Sequence, residues 1–144
     1  MEAPDSATVA YDLDEALRPV LLLASRAAAS VAPRVSSSQL QALVALHRRG
    51  PMKLTSLALE LGSIPSSASR MCDRLVASGF LERRAGQVDR REVFLHLTPD
   101  GDDVVRAVRE VRQRALAEAI RGCTVAERQA LLLGLRAFAA QLED

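Results

Sequence analysis

The sequence predicts a mainly α-helical fold carrying one small β-hairpin, an α+β arrangement with helices on both sides of the hairpin. Three observations lead there. The chain of 144 residues is rich in Ala and Leu, 49% hydrophobic but only 3% aromatic, with no Trp, and Ala and Leu are strong helix formers. Apolar residues recur at spacings of three and four through most of its length. The period changes to two once, between Phe80 and Leu97, where the alternation of paired strands appears.

Taken in order, residues 1–9 are small and polar and are expected to fray. From about Asp12 to Val31, the residues Leu13, Leu17, Val20, Leu21, Ala24, Ala27 and Ala28 mark one helical face. Pro19 falls inside this pattern and predicts a bend or a late helix start. Ser36 and Gln39 form a capping box that opens a second helix with Leu40, Leu43, Val44 and Leu46 on one side, closed by Gly50-Pro51. A short helix from Leu54 to Leu61 ends at Gly62. The next runs from Pro65, suited to a first turn, to Ser78, with Gly79 closing it. Phe80–Arg84 and Glu92–Leu97 then read as two strands around a charged loop, Ala85–Arg91. Thr98 caps a long helix with Pro99 at its first position and a stripe of Val104, Val105, Val108, Val111, Ala115, Leu116, Ala119 and Ile120. Thr124 and Glu127 make a second capping box before a last helix through Leu131, Leu132, Leu135, Phe138 and Leu142.

Composition narrows the function. No apolar run is long enough to span a bilayer, since Val20–Ala24 is flanked by Arg18 and Arg26. The start, with Glu2, Pro4 and Asp5, lacks the basic and apolar segments of a signal peptide, so a cytoplasmic protein is expected. Cys72 and Cys123 make neither a disulfide framework nor a metal motif, and His47 and His96 have no clustered carboxylates for a metal site. There is no Gly-rich phosphate loop, nucleophile–base pair or carboxylate pair at catalytic spacing, so an enzyme and a bound cofactor are not expected.

Charge points elsewhere. The formal net charge is only +1, but between Arg70 and Arg91 six arginines (Arg70, Arg74, Arg83, Arg84, Arg90, Arg91) face Asp73, Glu82 and Asp89, an excess of three. Such a local excess suits phosphate binding. Two short helices joined by a tight turn at Gly62 form a helix–turn–helix by length and punctuation. In the second, Ala68, Met71, Cys72, Leu75 and Val76 should pack inward, leaving Ser66, Ser67, Ser69, Arg70, Asp73 and Arg74 outside. Small hydroxyls allow close approach to base edges, and an Arg one or two turns further can fork onto guanine O6 and N7. A hairpin directly after such a helix can lay its tip, Asp89-Arg90-Arg91, along the adjacent minor groove, whose negative potential attracts Arg.

Met52–Ala58, the helix Ser66–Leu75, Gly79–Arg83 and above all Asp89-Arg90-Arg91 with Leu97-Thr98-Pro99-Asp100-Gly101 resemble the MarR-type regulators, over nearly the whole chain. The resemblance implies a winged helix–turn–helix homodimer in which the first, fifth and sixth helices interlock. It implies two recognition helices in successive major grooves of a palindromic double-stranded DNA operator, and repression relieved by a small aromatic or phenolic ligand or an oxidant. Carried over by position, DNA contacts fall to Ser66, Ser67, Ser69, Arg70 and Arg74 on the recognition helix and to Arg90 and Arg91 on the wing. Asp89 and Asp73 would brace the wing, Asp73 through Arg91. Two positions depart from the pattern: Lys53 and Ile64 stand where polar helix caps are usual, so Thr55 or Ser63 is expected to serve instead.

The expected organisation is therefore a flexible 1–9, a first dimerisation helix over 10–34, the DNA-binding region over 35–98, and C-terminal dimerisation helices over 99–144. The terminal helices carry more apolar surface than one small winged domain can cover, which argues for a second copy. Two alternatives stay open at this level: a winged helix that binds another protein, and a redox-responsive regulator acting through Cys72 or Cys123.

Overall fold

A computed structural model describes residues 5–32 and 35–142. Among these residues six helices and three short strands follow one another as α1 (Ser6–Val31), α2 (Ser37–Arg49), β1 (Met52–Lys53), α3 (Leu54–Glu60), α4 (Pro65–Ala77), β2 (Leu81–Ala85), β3 (Val93–Leu97), α5 (Pro99–Ala119) and α6 (Val125–Leu142). A 3₁₀ turn, Ile120–Gly122, separates the last two helices. The chain divides into a larger unit, Met1–Val111, and a smaller one, Arg112–Asp144. No helix among the described residues is long and apolar enough to cross a membrane.

Helix α1 corrects the sequence reading at its start. It begins at Ser6, so Ser6–Val9 are helical and Pro19 lies well inside the helix. A late start at Pro19 is thereby excluded, because the Ala-rich sequence on both sides sustains the helix. Residues 1–4, the rest of the segment expected to fray, and residues 33–34 lie outside the described residues. The capping box of α2 forms as expected: Gln39 N–H donates to Ser36 Oγ at 3.2 Å, and Ser36 N–H donates to Gln39 Oε1 at 2.8 Å. The helix buries Ala42, Leu43, Ala45 and Leu46.

The helices α3 and α4 end in the same way. After α3, Gly62 N–H reaches Leu59 O and Ser63 N–H reaches Ala58 O; after α4, Gly79 N–H reaches Val76 O and Phe80 N–H reaches Leu75 O. Each is a Schellman closure. Gly62 and Gly79 take φ of 58° and 79°, a conformation that other L-residues adopt only with strain. Their starts are less orthodox. Lys53 and Ile64 occupy the N-cap positions without a side-chain cap bond. The expected substitutes do not serve, since Thr55 lies inside α3 and Ser63 Oγ is buried without a hydrogen-bond partner. A missing polar cap costs a helix about 1 kcal/mol.

The hairpin has a third strand that the sequence reading missed. In the antiparallel order β1-β3-β2, Met52 pairs with Leu95, while Leu81 pairs with Leu97 and Arg83 with Leu95. The core gathers where this sheet meets α2, α3 and α4: Leu43, Leu57, Cys72, Leu75, Leu81 and Leu95 are all fully buried. Thr98 then joins sheet to helix. Its Oγ1 donates to Gly79 O at 2.6 Å and accepts from Gly101 N–H at 3.1 Å, while its N–H donates to Phe80 O. Gly101 is buried there, and a Cβ on it would sit 2.3 Å from Phe80 O.

In the smaller unit, Thr124 and Glu127 form the second capping box, with Glu127 N–H donating to Thr124 Oγ1 and Thr124 N–H donating to Glu127 Oε2 at 2.7 Å. The Thr124 N–H, and with it the Thr124 hydroxyl donating to the same Oε2 at 2.8 Å, holds the Glu127 carboxyl below its ordinary range. No residue of α6 is buried, and Leu131, Leu135 and Phe138 are all exposed.

Candidate nucleic-acid interface

The outer surface of α4 is set by its period. Ala68, Cys72 and Leu75 are buried, with Met71 and Val76 partly so, which leaves Ser66, Arg70, Asp73 and Arg74 exposed. Ser67 and Ser69 are only half-buried, at the flanks of the face rather than on its crest. Ser67, Arg70 and Arg74 line a groove of about 310 Å³ against α2, whose Ser38 and Gln41 form the opposite wall. The sequence reading did not include α2 in the site. A polar first turn directly opposite another polar helix start was the available signal, but only the packing places the two together.

The wing tip is a closed turn. Gly86 N–H donates to Glu92 O at 2.7 Å and Glu92 N–H donates to Asp89 O at 3.1 Å. Asp89 Oδ1 accepts the backbone N–H of Arg91 at 2.9 Å. Asp89 therefore braces the tip through the backbone, a local bond typical of Asp in turns, and leaves both neighbouring guanidinium groups free of it. Gly86 is buried beneath the tip, and a Cβ there would lie 2.5 Å from Asp89 O. Arg90 and Arg91 are exposed.

The second brace differs from the expectation. Asp73 Oδ1 accepts from an Arg83 guanidinium N–H at 2.7 Å, not from Arg91. The reason is topological: β2 follows α4 after a three-residue turn, so Arg83 returns beside Asp73, whereas Arg91 lies in the tip turn beyond the ends of the strands. Arg84 likewise pairs with Glu82, and Lys53 at the head of α3 pairs with Glu92 at the base of the tip. The Lys53 ammonium also lies 5.8 Å from the Phe94 ring centroid, close enough for a cation–π contribution.

This pairing redistributes the charge. Ion pairs among the described residues take up Arg83 and Arg84 and assign no acidic partner to Arg70, Arg74, Arg90 or Arg91. The excess counted in the sequence is thus concentrated in two places, the outer face of α4 and the wing tip. Exposed guanidinium groups of this kind bind carboxylates or phosphates bidentately.

Two further features border the region. His47 Nδ1 and Asp102 Oδ1, 2.7 Å apart, link the end of α2 to the first turn of α5. That hydrogen bond is the main reason the Asp102 carboxyl is held below the ordinary carboxylate range; the charges of His47 and Arg106 add to it. Cys72, within α4, has no exposed surface, and burial pushes its thiol up from the usual value. Cys123 is half-buried.

Comparison with known proteins agrees with this geometry. The MarR family pattern matches residues 35–93, from the start of α2 to the start of β3. An HTH-type transcriptional regulator of Mycobacterium bovis is 35% identical over 97 residues, covering 67% of this chain and 68% of that protein. The crystal structure of RV1404 from Mycobacterium tuberculosis superposes with a TM-score of 0.90 at 33% identity, over 97% of this chain and 96% of that one. Streptococcus pneumoniae FabT, crystallised in complex with DNA, shares the fold at a TM-score of 0.78 and 20% identity, over 97% and 99% of the two chains.

Proposed function

The chain belongs to the MarR family of helix–turn–helix transcriptional regulators, and from that premise we propose that it is a homodimeric repressor of a pseudo-palindromic operator. In this reading α4 enters the major groove, the wing tip lies in the adjacent minor groove, and a small aromatic or phenolic ligand releases the protein. The observation that carries it is the placement of Arg70, Arg74, Arg90 and Arg91, exposed and without an acidic partner among the described residues, on the two elements that would meet DNA. FabT, of the same fold, has been crystallised with DNA.

The roles divide by position. Arg70 and Arg74, with Ser66, Ser67 and Ser69, are the candidates for base edges and flanking phosphates. Arg90 and Arg91 serve the narrow groove, held in place by the Asp89 turn. Asp73 acts one step back, by fixing Arg83 and with it the root of the wing. The exposed apolar residues of α6 (Leu131, Leu135, Phe138) and of α1 (Val20, Leu21, Leu22) support the dimer, since a second copy would cover them. The burial and raised pKa of Cys72 argue against it as the oxidant sensor, because the thiolate is the reactive form.

The test is binding to DNA flanking the protein's own coding region, titrated against random duplex at several salt concentrations. A preference of about a thousandfold or more, with one dimer per palindrome, is the expected result for specific binding. Arg74→Ala should relax sequence preference, by about 1–3 kcal/mol at one base pair of each half-site. Arg90→Ala should weaken binding and lower the salt slope by about one for each phosphate that it leaves without a cation. Equal, weak binding to all duplexes, unchanged by both substitutions, would favour a winged helix that docks a protein partner.

A further inference from the structure

Ile64 is the least accountable residue on the DNA-facing side. It is the N-cap of α4, with φ −75° and ψ 146°, and its side chain is 65% exposed. A polar residue there would bond a free amide of the first turn, as Ser, Thr, Asp and Asn do at this position. Ser63 does not compensate, because its Oγ is buried and unpartnered. The sequence thus gives up a cap and displays an apolar side chain in water, followed directly by the exposed ring of Pro65. Neither choice helps the fold. Both are explained if the side chain meets an apolar group when DNA is bound.

Resting on the regulator reading above, we infer that Ile64, at the leading end of α4, packs against a thymine methyl group in each half-site and so acts as a specificity-determining residue. The direction of α4 supports this. A recognition helix presents its N-terminal residues to the base edges, and Ile64 stands at that end, nearly two turns ahead of Arg70 and nearly three ahead of Arg74. In the major groove the C5-methyl of thymine is the apolar group on offer. Ile64 would favour thymine over cytosine at that base pair through the methyl itself, an apolar contact that the serine hydroxyls and guanidinium groups of α4 do not supply.

The experiment begins with selection of the preferred duplex from a random library by the full-length protein. Each thymine of the selected half-site is then replaced by deoxyuridine, which removes only the methyl. The wild type should lose about fourfold in affinity at one thymine of each half-site, and about fifteenfold when both half-sites are replaced. Ile64→Ser, which supplies a cap and leaves the core untouched, should bind the selected duplex with no dependence on that methyl. Ile64→Val should keep most of it. A wild type indifferent to every replacement, or an Ile64→Ser protein with undiminished dependence, overturns the inference while the selected operator still stands. That result would turn attention to a protein partner seated on Ile64 and on Leu59, which is 84% exposed on α3. Selection that enriches no sequence would instead refute the regulator reading itself, and this inference with it.

Discussion

Replacing Gly101 by Ala sets two effects of known size against each other. Gly101 lies in the first turn of α5, where helix propensity alone favours Ala by about 1 kcal/mol. Against this, the new methyl carbon would stand 2.3 Å from Phe80 O, 2.8 Å from Leu97 Cδ1 and 3.1 Å from Phe80 C. The leucine end can rotate away, but the Phe80 carbonyl cannot move freely. It accepts the Thr98 N–H and sits directly after Gly79, whose own carbonyl is held by Thr98 Oγ1. Forcing an extra carbon into a packed site costs about 1–3 kcal/mol, and a backbone obstacle places this case at the upper end. The net expectation is a loss of about 2 kcal/mol, or about 4–8 °C in Tm for a chain of this size. Urea and thermal unfolding of wild type and Gly101→Ala at fixed protein concentration measure it. A variant as stable as the wild type, or more stable, would show that propensity dominates and that the close approach of α5 to Phe80 is not a constraint.

Two other expectations concern titratable groups. The lowered Asp102 pKa means that its ionisation favours the folded state above the ordinary carboxylate value, near 4, and that this advantage is lost as pH falls through the lower folded value. Wild type should therefore lose stability more steeply than Asp102→Asn below about pH 4; parallel urea midpoints from about pH 6 to about pH 3 would contradict this. For the cysteines, a maleimide added to native protein should label Cys123 and spare Cys72, which should react only in denaturant, since burial both shields it and raises its pKa. Peptide mass spectrometry reads the order, and equal native labelling of the two would refute it.

Much of the fold was legible because its signals are local. The capping boxes at Ser36 and Thr124, Pro65 at a first turn and the glycines after α3 and α4 each act within a few residues, and the helix boundaries drawn from them hold closely. What escaped depends on residues distant in sequence. Two residues, Met52 and Lys53, cannot declare themselves a strand, because only pairing with β3 some forty positions later makes them one. The partner of Asp73 is of the same kind: the carboxylate lay near several arginines in sequence, and the return of β2 against α4 selected Arg83. The start of α1 failed for another reason. Ser6–Val9 carry no apolar period, yet good helix formers downstream extend the helix through them.

The short strand β1 has one more consequence. With β1 on one edge and β2 on the other, β3 is paired along its whole length with β2 and at Phe94 and Leu95 with β1, and the base of the wing is fixed to the head of α3. A free two-stranded ribbon would be marginal in water; this one is not free. The residues from Gly86 to Glu92 project past that ladder and close on themselves through their own backbone bonds. They form a cassette closed mainly on itself and joined to the head of α3 through the Lys53–Glu92 ion pair, so exchanging the exposed Arg90 or Arg91 leaves the seating of α4 untouched. In the regulator reading, readout by the wing can thus be retuned while readout by α4 is kept.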